Sequence, residues 1–328
     1  MIRSRIFFIF LFCTAAVVVT AAVSLGVARQ TLSLASTSPH TEYLYIEPGD
    51  GLNVVAYKAK KLGLVRRAWH FVIAAKILGR ETELKAGEYE LTAHSMLSGI
   101  INKIGAGEVY YRKIIVPEGL SVAQVEMEMT ATRGLDWTGY IPPEEGSILP
   151  ETYFFTRGER ASELIARMQQ SMRRELDEMW RSRAPGLPVK TKEQALILAS
   201  IVEKETGVAM ERPLVAAVFN NRLKKRMRLQ SDPTVVYGIT LGEPLGRSLT
   251  SADLKNETAY NTYRVGGLPP TAIANPGRQS IAAVLSPAPV DYLYFVADGT
   301  GGHAFAVSLK DHNRNVARWR KFQAAQKR

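Results

Sequence analysis

Apolar residues run from Ile6 to Ala28 without a single charged interruption. As a helix such a stretch can cross a hydrocarbon core of about 30 Å, whereas the apolar region of a cleavable signal runs only about 7–15 residues. The pattern predicts a retained transmembrane helix over 6–28, with 1–5 as a short N-terminus. From Arg29 the hydrophobic density drops, and 29–42, rich in Ser, Thr and Ala with Pro39, reads as a linker. Alternation resumes at Tyr43. Tyr43–Ile46 has the pattern of a strand and Glu47–Gly51 that of its turn. Asn53 can cap a helix that opens at Val54. A second helix over Trp69–Leu78, a short strand at Tyr89 and a third helix over Met96–Ile104 complete a segment at 43–108.

That order, strand–helix–helix–strand, resembles a LysM-like module, a small fold associated with peptidoglycan. A spacer with the same order and no glycan affinity is the alternative. Gly51-Leu-Asn-Val54 reappears as Gly119-Leu-Ser-Val122, where Ser121 and Gln124 have capping-box spacing. One strand–turn–helix unit is thus used twice. The connecting region 109–189 holds a strand at Tyr153–Phe155 and an amphipathic helix over Ala161–Trp180. Two prolines and a glycine within Arg183–Val189 then mark a boundary. The expected class is α+β: a transmembrane helix, a LysM-like small domain and a mixed α+β domain over 190–328.

Composition narrows the partners. With 46% hydrophobic and 22% charged residues, the 328-residue chain folds. Its 42 basic against 31 acidic residues give +11, which favours nucleic acid, an anionic membrane surface or an anionic polymer. Arg3 and Arg5 ahead of the apolar run place the N-terminus in the cytoplasm and the remaining mass across the membrane. That topology argues against nucleic acid, and no zinc-finger or RNA-recognition pattern appears. The one cysteine, Cys13, lies within the span, so no disulfide framework is expected. The five histidines lack metal-ligand spacing, and no phosphate-loop pattern follows a strand, so neither metal nor cofactor is expected.

The chemistry concentrates after Lys190. Thr191-Lys-Glu-Gln194 has the spacing of a capping box, and Ala195–Val202 is apolar nearly all round, so a buried helix should begin there. Glu203, Lys204 and Glu205 interrupt it. At 100° per residue, Leu196, Ala199 and Ser200 share a face with Glu203, and the two small residues can leave a groove beside its carboxyl group. Burial raises a carboxyl pKa, and an acid that keeps its proton near neutrality can donate it to a leaving oxygen. The bland reading is a structural ion pair, with Lys204, Arg212 or Arg222 as partner. Glu205 points about 200° away from Glu203, and periodicity alone does not say which of the two faces a cleft.

Further strings carry a resemblance. They are Ala199-Ser-Ile-Val-Glu-Lys-Glu-Thr206, Phe219-Asn-Asn-Arg-Leu223, Met227–Gly238 with its Leu-Gln-Ser-Asp-Pro-Thr, and Ala259-Tyr-Asn-Thr-Tyr263. Gly266-Gly-Leu-Pro-Pro270, Ile273-Ala-Asn-Pro-Gly277, Tyr292–Asp298 and Gly302-His-Ala-Phe305 extend the set. Together they resemble the YceG-like family of endolytic murein transglycosylases. The resemblance implies a bacterial inner-membrane, single-pass enzyme. It would cut the β-1,4 bond between N-acetylmuramic acid and N-acetylglucosamine within nascent glycan strands, leave a 1,6-anhydro end, and work alongside peptidoglycan synthases. It implies Glu203 as the catalytic acid. One carboxyl suffices there, because the muramic 6-hydroxyl attacks within its own sugar and no water needs activating. Gln230, Asp232, Asn261, Tyr263 and His303 are the implied substrate-binding residues. Three have alternatives: Asp232, or its neighbour Ser231, as a helix cap, Asn261 as a turn former, Tyr263 as packing. Lys310–Arg328 reads as a basic, solvated helical tail. A non-enzymatic glycan-binding scaffold, and a water-using muramidase with Asp232 as second carboxylate, are the competing functions.

Overall fold

The computed structural model describes residues 2–326, with side chains from residue 11 onward. Arg3 and Arg5, on which the expected orientation rests, lie outside the described side chains. The chain divides into two compact units, residues 1–112 and 113–328.

The first unit opens with helix α1 (Ile2–Leu32). Its stretch Leu11–Leu32, 22 residues with a mean hydropathy of 2.2 and an exposed 18-residue apolar window, is long and apolar enough to cross a membrane. The linker expected over 29–42 is instead built into the unit. Leu32 and Leu34 pack on its core, and Thr31, Ser36 and Ser38 are buried. The Ser36 amide donates to the Ser95 carbonyl at 2.9 Å and the Thr37 amide to that of Gly63 at 3.0 Å. Small polar residues read as solvated linker because composition does not reveal such long-range backbone partners.

Strand β1 (Glu42–Ile46) pairs antiparallel with β2 (Gly87–Leu91), Leu44 opposite Tyr89. Between them run α2 (Leu52–Lys61) and α3 (Ala68–Ile77), and α4 (Leu97–Ala106) follows, ending on left-handed Gly107. The strand–helix–helix–strand order is the expected one. Asn53 is not the cap. Gly51 holds that position, and Asp50 closes the preceding turn by accepting the Glu47 amide at 2.8 Å. Leu44, Ile46, Phe71, Tyr89 and Ile104 form the centre of the core. Glu88, buried on β2, is held by Arg112 at 2.7 and 2.9 Å, as a buried carboxylate must be.

The second unit opens within β3 (Arg112–Ile115), at Lys113; β3 pairs with β4 (Thr152–Phe155), and α5 (Val122–Ala131) lies between them in the chain. The capping box at Ser121 forms in both directions. Helix α6 (Ala161–Arg181) leads to α7 (Lys192–Glu205), then α8 (Arg212–Lys224), α9 (Asp232–Thr240), α10 (Ser251–Lys255) and α11 (Arg278–Leu285). A hairpin of β5 (Tyr294–Ala297) and β6 (His303–Ala306) precedes α12 (Leu309–Gln326). No boundary falls at 189/190. Leu187 and Val189 share one core with Leu149, Met172, Leu198 and Phe219. Asn275 adds a polar tie, accepting the Ile148 amide at 3.0 Å and donating to the Leu120 carbonyl at 2.9 Å. Helix α7 runs through this core against α6, α8, α9 and α11, so its C-terminal carboxylates emerge where these elements meet. Helix α12 is more than a solvated tail: it packs on β5 and β6, and His312 stacks on Tyr294 at 5.1 Å.

Candidate active site

Helix α7 is opened by Thr191, whose hydroxyl accepts the Gln194 amide at 3.2 Å. The Gln194 side chain reaches the Lys190 amide instead of that of Thr191, so half of the expected capping box forms. The helix then carries two carboxylates to its far end on different faces, and their surroundings differ.

Glu203 is engaged on both oxygens. Oε1 lies 3.2 Å from Nη2 of Arg212, and Oε2 accepts the Gly277 amide at 2.8 Å. Its side chain is 5% exposed. Arg212 also meets Glu118 at 3.3 Å and Gln279. These bonds tie the end of α7 to the first turn of α8 and to the N-cap of α11. The groove expected beside Glu203 is filled. Ala199 and Ser200 are fully buried, and the Ser200 hydroxyl donates to the Ile197 carbonyl while accepting the Ile273 amide at 3.0 Å. Small residues here serve close packing of the helix, not access for a ligand.

Glu205 faces a cavity of about 420 Å³, lined among others by Arg222, Gln230, Asp232, Tyr263 and His312. Burial pushes its carboxyl up to about 7, opposed by a Ser231 hydroxyl that donates to Oε1 at 2.5 Å and reinforced by the nearby charge of Asp232. The Asp232 carboxylate in turn accepts the Tyr263 hydroxyl at 2.7 Å. Gln230 holds a left-handed backbone, φ 53°, its amide donating to the Thr262 carbonyl at 3.2 Å. A non-glycine residue at such an angle stores strain that its surroundings must outweigh. Arg222 is buried, with Nε donating to the Leu293 carbonyl at 2.7 Å and Nη1 to that of Leu229 at 2.8 Å, and so braces the cavity wall.

Of the residues expected to bind substrate, Gln230, Asp232 and Tyr263 therefore converge, but around Glu205. Neither Ser231 nor Asp232 caps α9 through its side chain, so the capping alternative does not hold. Asn261 is 0% exposed. Its amide donates to the carbonyls of Leu254 at 3.1 Å and Asn256 at 2.5 Å, and its oxygen accepts the Tyr263 amide, so its polar atoms are spent on shaping the loop. His303 does not line the cavity. Nδ1 pairs with Glu211 at 2.6 Å, and its ring stands edge-on to Phe295, which does line it. Sequence reasoning treated Ser231 only as a cap, Arg222 only as an ion-pair partner, and did not single out His312. No spacing rule connects these residues, which come from α8, the turn before α9, and α12. Among the described residues, no group of three or more His, Cys, Asp or Glu gathers to hold a metal.

The profile of the YceG-like family matches residues 44–318. An endolytic murein transglycosylase of Bacillus subtilis is 30% identical over 308 residues, covering 84% of this chain and 84% of its own length. One from Streptococcus pneumoniae is 26% identical over 322 residues and covers 83% of this chain, which spans only 57% of that longer protein. The crystal structure of a YceG-like protein from Listeria monocytogenes superimposes with a TM-score of 0.53 at 29% identity, covering 84% of this chain and 99% of that one.

Proposed function

The chain belongs to the YceG-like family, and on that premise we propose that it is an endolytic murein transglycosylase with Glu205 as its acid. The observation that carries this assignment is the convergence on Glu205: a carboxyl pushed up to about 7 by burial, at a cavity that Gln230, Asp232 and Tyr263 also line. A group titrating there holds a proton for a large part of the population at neutral pH and gives it up without a large barrier. Glu203 has both oxygens bonded, one to Arg212 and one to the Gly277 amide, and does not line that cavity.

In the proposed reaction Glu205 protonates the glycosidic oxygen between N-acetylmuramic acid and N-acetylglucosamine, and the bond from the anomeric carbon to that oxygen breaks. The muramic 6-hydroxyl closes on the anomeric carbon, and its proton passes to the Glu205 carboxylate, restoring the acid. The products are a free N-acetylglucosamine 4-hydroxyl and a 1,6-anhydro end. The attack is intramolecular and gains from proximity, and the step needs neither metal nor cofactor. Asp232, hydrogen-bonded to Tyr263, would favour the positive charge that develops on the sugar. Its presence also gives a second reading some support: as a base, Asp232 could activate water, and the product would then carry an ordinary reducing end.

The wider setting follows the same reading. Helix α1 would anchor the enzyme in the cytoplasmic membrane with its N-terminus inside. The first unit, with its strand–helix–helix–strand order, would act as a LysM-like glycan-holding module. Cutting of nascent strands beside peptidoglycan synthases would limit their length. The test is to incubate the full chain in detergent, with its Glu205→Gln and Glu203→Gln variants, with uncrosslinked peptidoglycan, and to read the products by mass spectrometry. Anhydro-ended internal fragments from the parent and from Glu203→Gln, but not from Glu205→Gln, are expected. Reducing ends alone would replace the transglycosylase with the muramidase. Binding without cleavage by the parent would leave the scaffold reading.

A further inference from the structure

Helix α3 is apolar on nearly every face, yet only one face is covered by protein. Phe71, Ala74 and Ala75 are buried in the core of the first unit. On the opposite side stand Trp69, Ile73 and Ile77, spaced four residues apart in one stripe and 49%, 38% and 43% exposed. A helix on the surface of a soluble domain carries polar residues there. The polar residues on this side are Lys76 and the half-buried His70, whose ring lies 4.0 Å from that of Trp69, and Arg66 and Arg67 stand exposed just before the helix.

Two observations identify what covers this face. The first is how α1 joins the unit. Leu32 and Leu34, at and just past its end, pack into the core, and α1 packs directly on α3 and α4. The uncharged run of α1 ends at Ala28, and the same helix continues to Leu32 on the core, so α3 sits about a turn from where that helix leaves the hydrocarbon, with no slack chain to carry it away. The second is composition. Trp at the edge of an aliphatic stripe, rimmed by Arg and Lys, is what the headgroup layer of a bilayer selects, and basic residues draw it towards anionic lipid.

We propose that the outer stripe of α3 is a lipid-binding surface, with Trp69, Ile73 and Ile77 entering the headgroup–acyl boundary and Arg66, Arg67 and Lys76 meeting anionic headgroups. Helix α1 then serves as one of two attachments, and α3 fixes the tilt and rotation of the first unit against the membrane. The inference rests on α1 spanning the bilayer and is independent of the catalytic assignment.

The experiment uses the full chain with Cys13→Ser, which removes the only thiol, and Ile73→Cys labelled with an environment-sensitive dye. It is reconstituted in vesicles of phosphatidylcholine with or without phosphatidylglycerol. On the anionic vesicles the dye should be quenched by lipid carrying a nitroxide near the headgroup and sheltered from aqueous iodide. Adding Arg66→Glu and Arg67→Glu should lower the ratio of docked to undocked unit roughly tenfold or more. Quenching by iodide and not by the lipid nitroxide would overturn the proposal. Shelter from both quenchers would also overturn it, by assigning the stripe to a second copy or a partner protein. Equal docking on pure phosphatidylcholine would remove the anionic lipid from it.

Discussion

Replacing Glu205 by glutamine tests the site through stability as well as activity. Its carboxyl is pushed from an ordinary 4.5 to about 7, chiefly by burial. The native state therefore keeps the proton up to about pH 7, while the unfolded chain releases it near 4.5. Between those values the unfolded state binds fewer protons, so wild-type stability falls as pH rises through the window. At 1.36 kcal/mol per pH unit, the whole window corresponds to about 3 kcal/mol. Glutamine occupies the same space and carries no charge at any pH. The variant should match the wild type at pH 4.5 to within the altered Ser231 hydrogen bond, and should be the more stable by up to about 3 kcal/mol at pH 8. For a unit of this size, about 2–4 °C per kcal/mol, the difference in Tm should open by up to roughly 6–12 °C between the two pH values. Melts followed by circular dichroism measure it.

The same substitution should lower glycan cleavage by roughly 10²–10⁴ at every pH, and wild-type activity should decline above about pH 7. Glu203→Gln should behave differently. It breaks the pair with Arg212, whose side chain is only 10% exposed, so it should destabilise by up to about 3 kcal/mol at neutral pH. The folded fraction should still cleave. A Tm difference for Glu205→Gln that does not change with pH would refute the buried-acid argument. So would wild-type cleavage by that variant, or an inactive Glu203→Gln with unchanged Tm.

Three further outcomes are expected. Ser231→Ala removes the hydroxyl that holds the Glu205 carboxyl down, so the alkaline limb of the pH–activity profile should move to higher pH. Tyr263→Phe removes the hydrogen bond to Asp232, and should lower the rate at saturating substrate about tenfold while leaving Tm nearly unchanged. Asn261→Ala leaves the carbonyls of Leu254 and Asn256 without their donor, and should cost roughly 2 kcal/mol or more in urea unfolding with KM unaltered.

Where local pattern sets local structure, the sequence is a sound guide. The alternation at Tyr43–Ile46, the reciprocal cap at Ser121 and Gln124, and the amphipathic run that becomes α6 all form within a residue or two of expectation. It fails where a segment is defined by distant partners. Residues 29–42 have the composition of a linker, yet Gly63 and Ser95 supply their hydrogen bonds from elsewhere in the unit. The prolines of 183–189 look like a domain boundary, yet Leu187 and Val189 fill the same core as α7. Asn53, two positions past the cap at Gly51, shows the smaller error that short polar residues invite at helix starts.

The difference between Glu203 and Glu205 has one physical origin. On a helix that is apolar nearly all round, the hydrophobic pattern carries no information about orientation, because each face looks equally fit for burial. Spacing placed Ala199 and Ser200 beside Glu203, and small side chains fit both a ligand groove and a close helix contact. The three-dimensional arrangement separates these readings: Ile273 closes on Ser200, and Arg212 and Gly277 close on Glu203. Only the loop that brings Ser231 to Glu205, and the side chains of α8 and α12 that complete its cavity, distinguish the two faces. Those partners come from 17 to 107 positions further along the chain, Arg222 to His312. A carboxyl that must be buried yet reachable needs walls from several elements, and so Glu205 is proposed as the acid on what surrounds it in space and not on its neighbours in sequence.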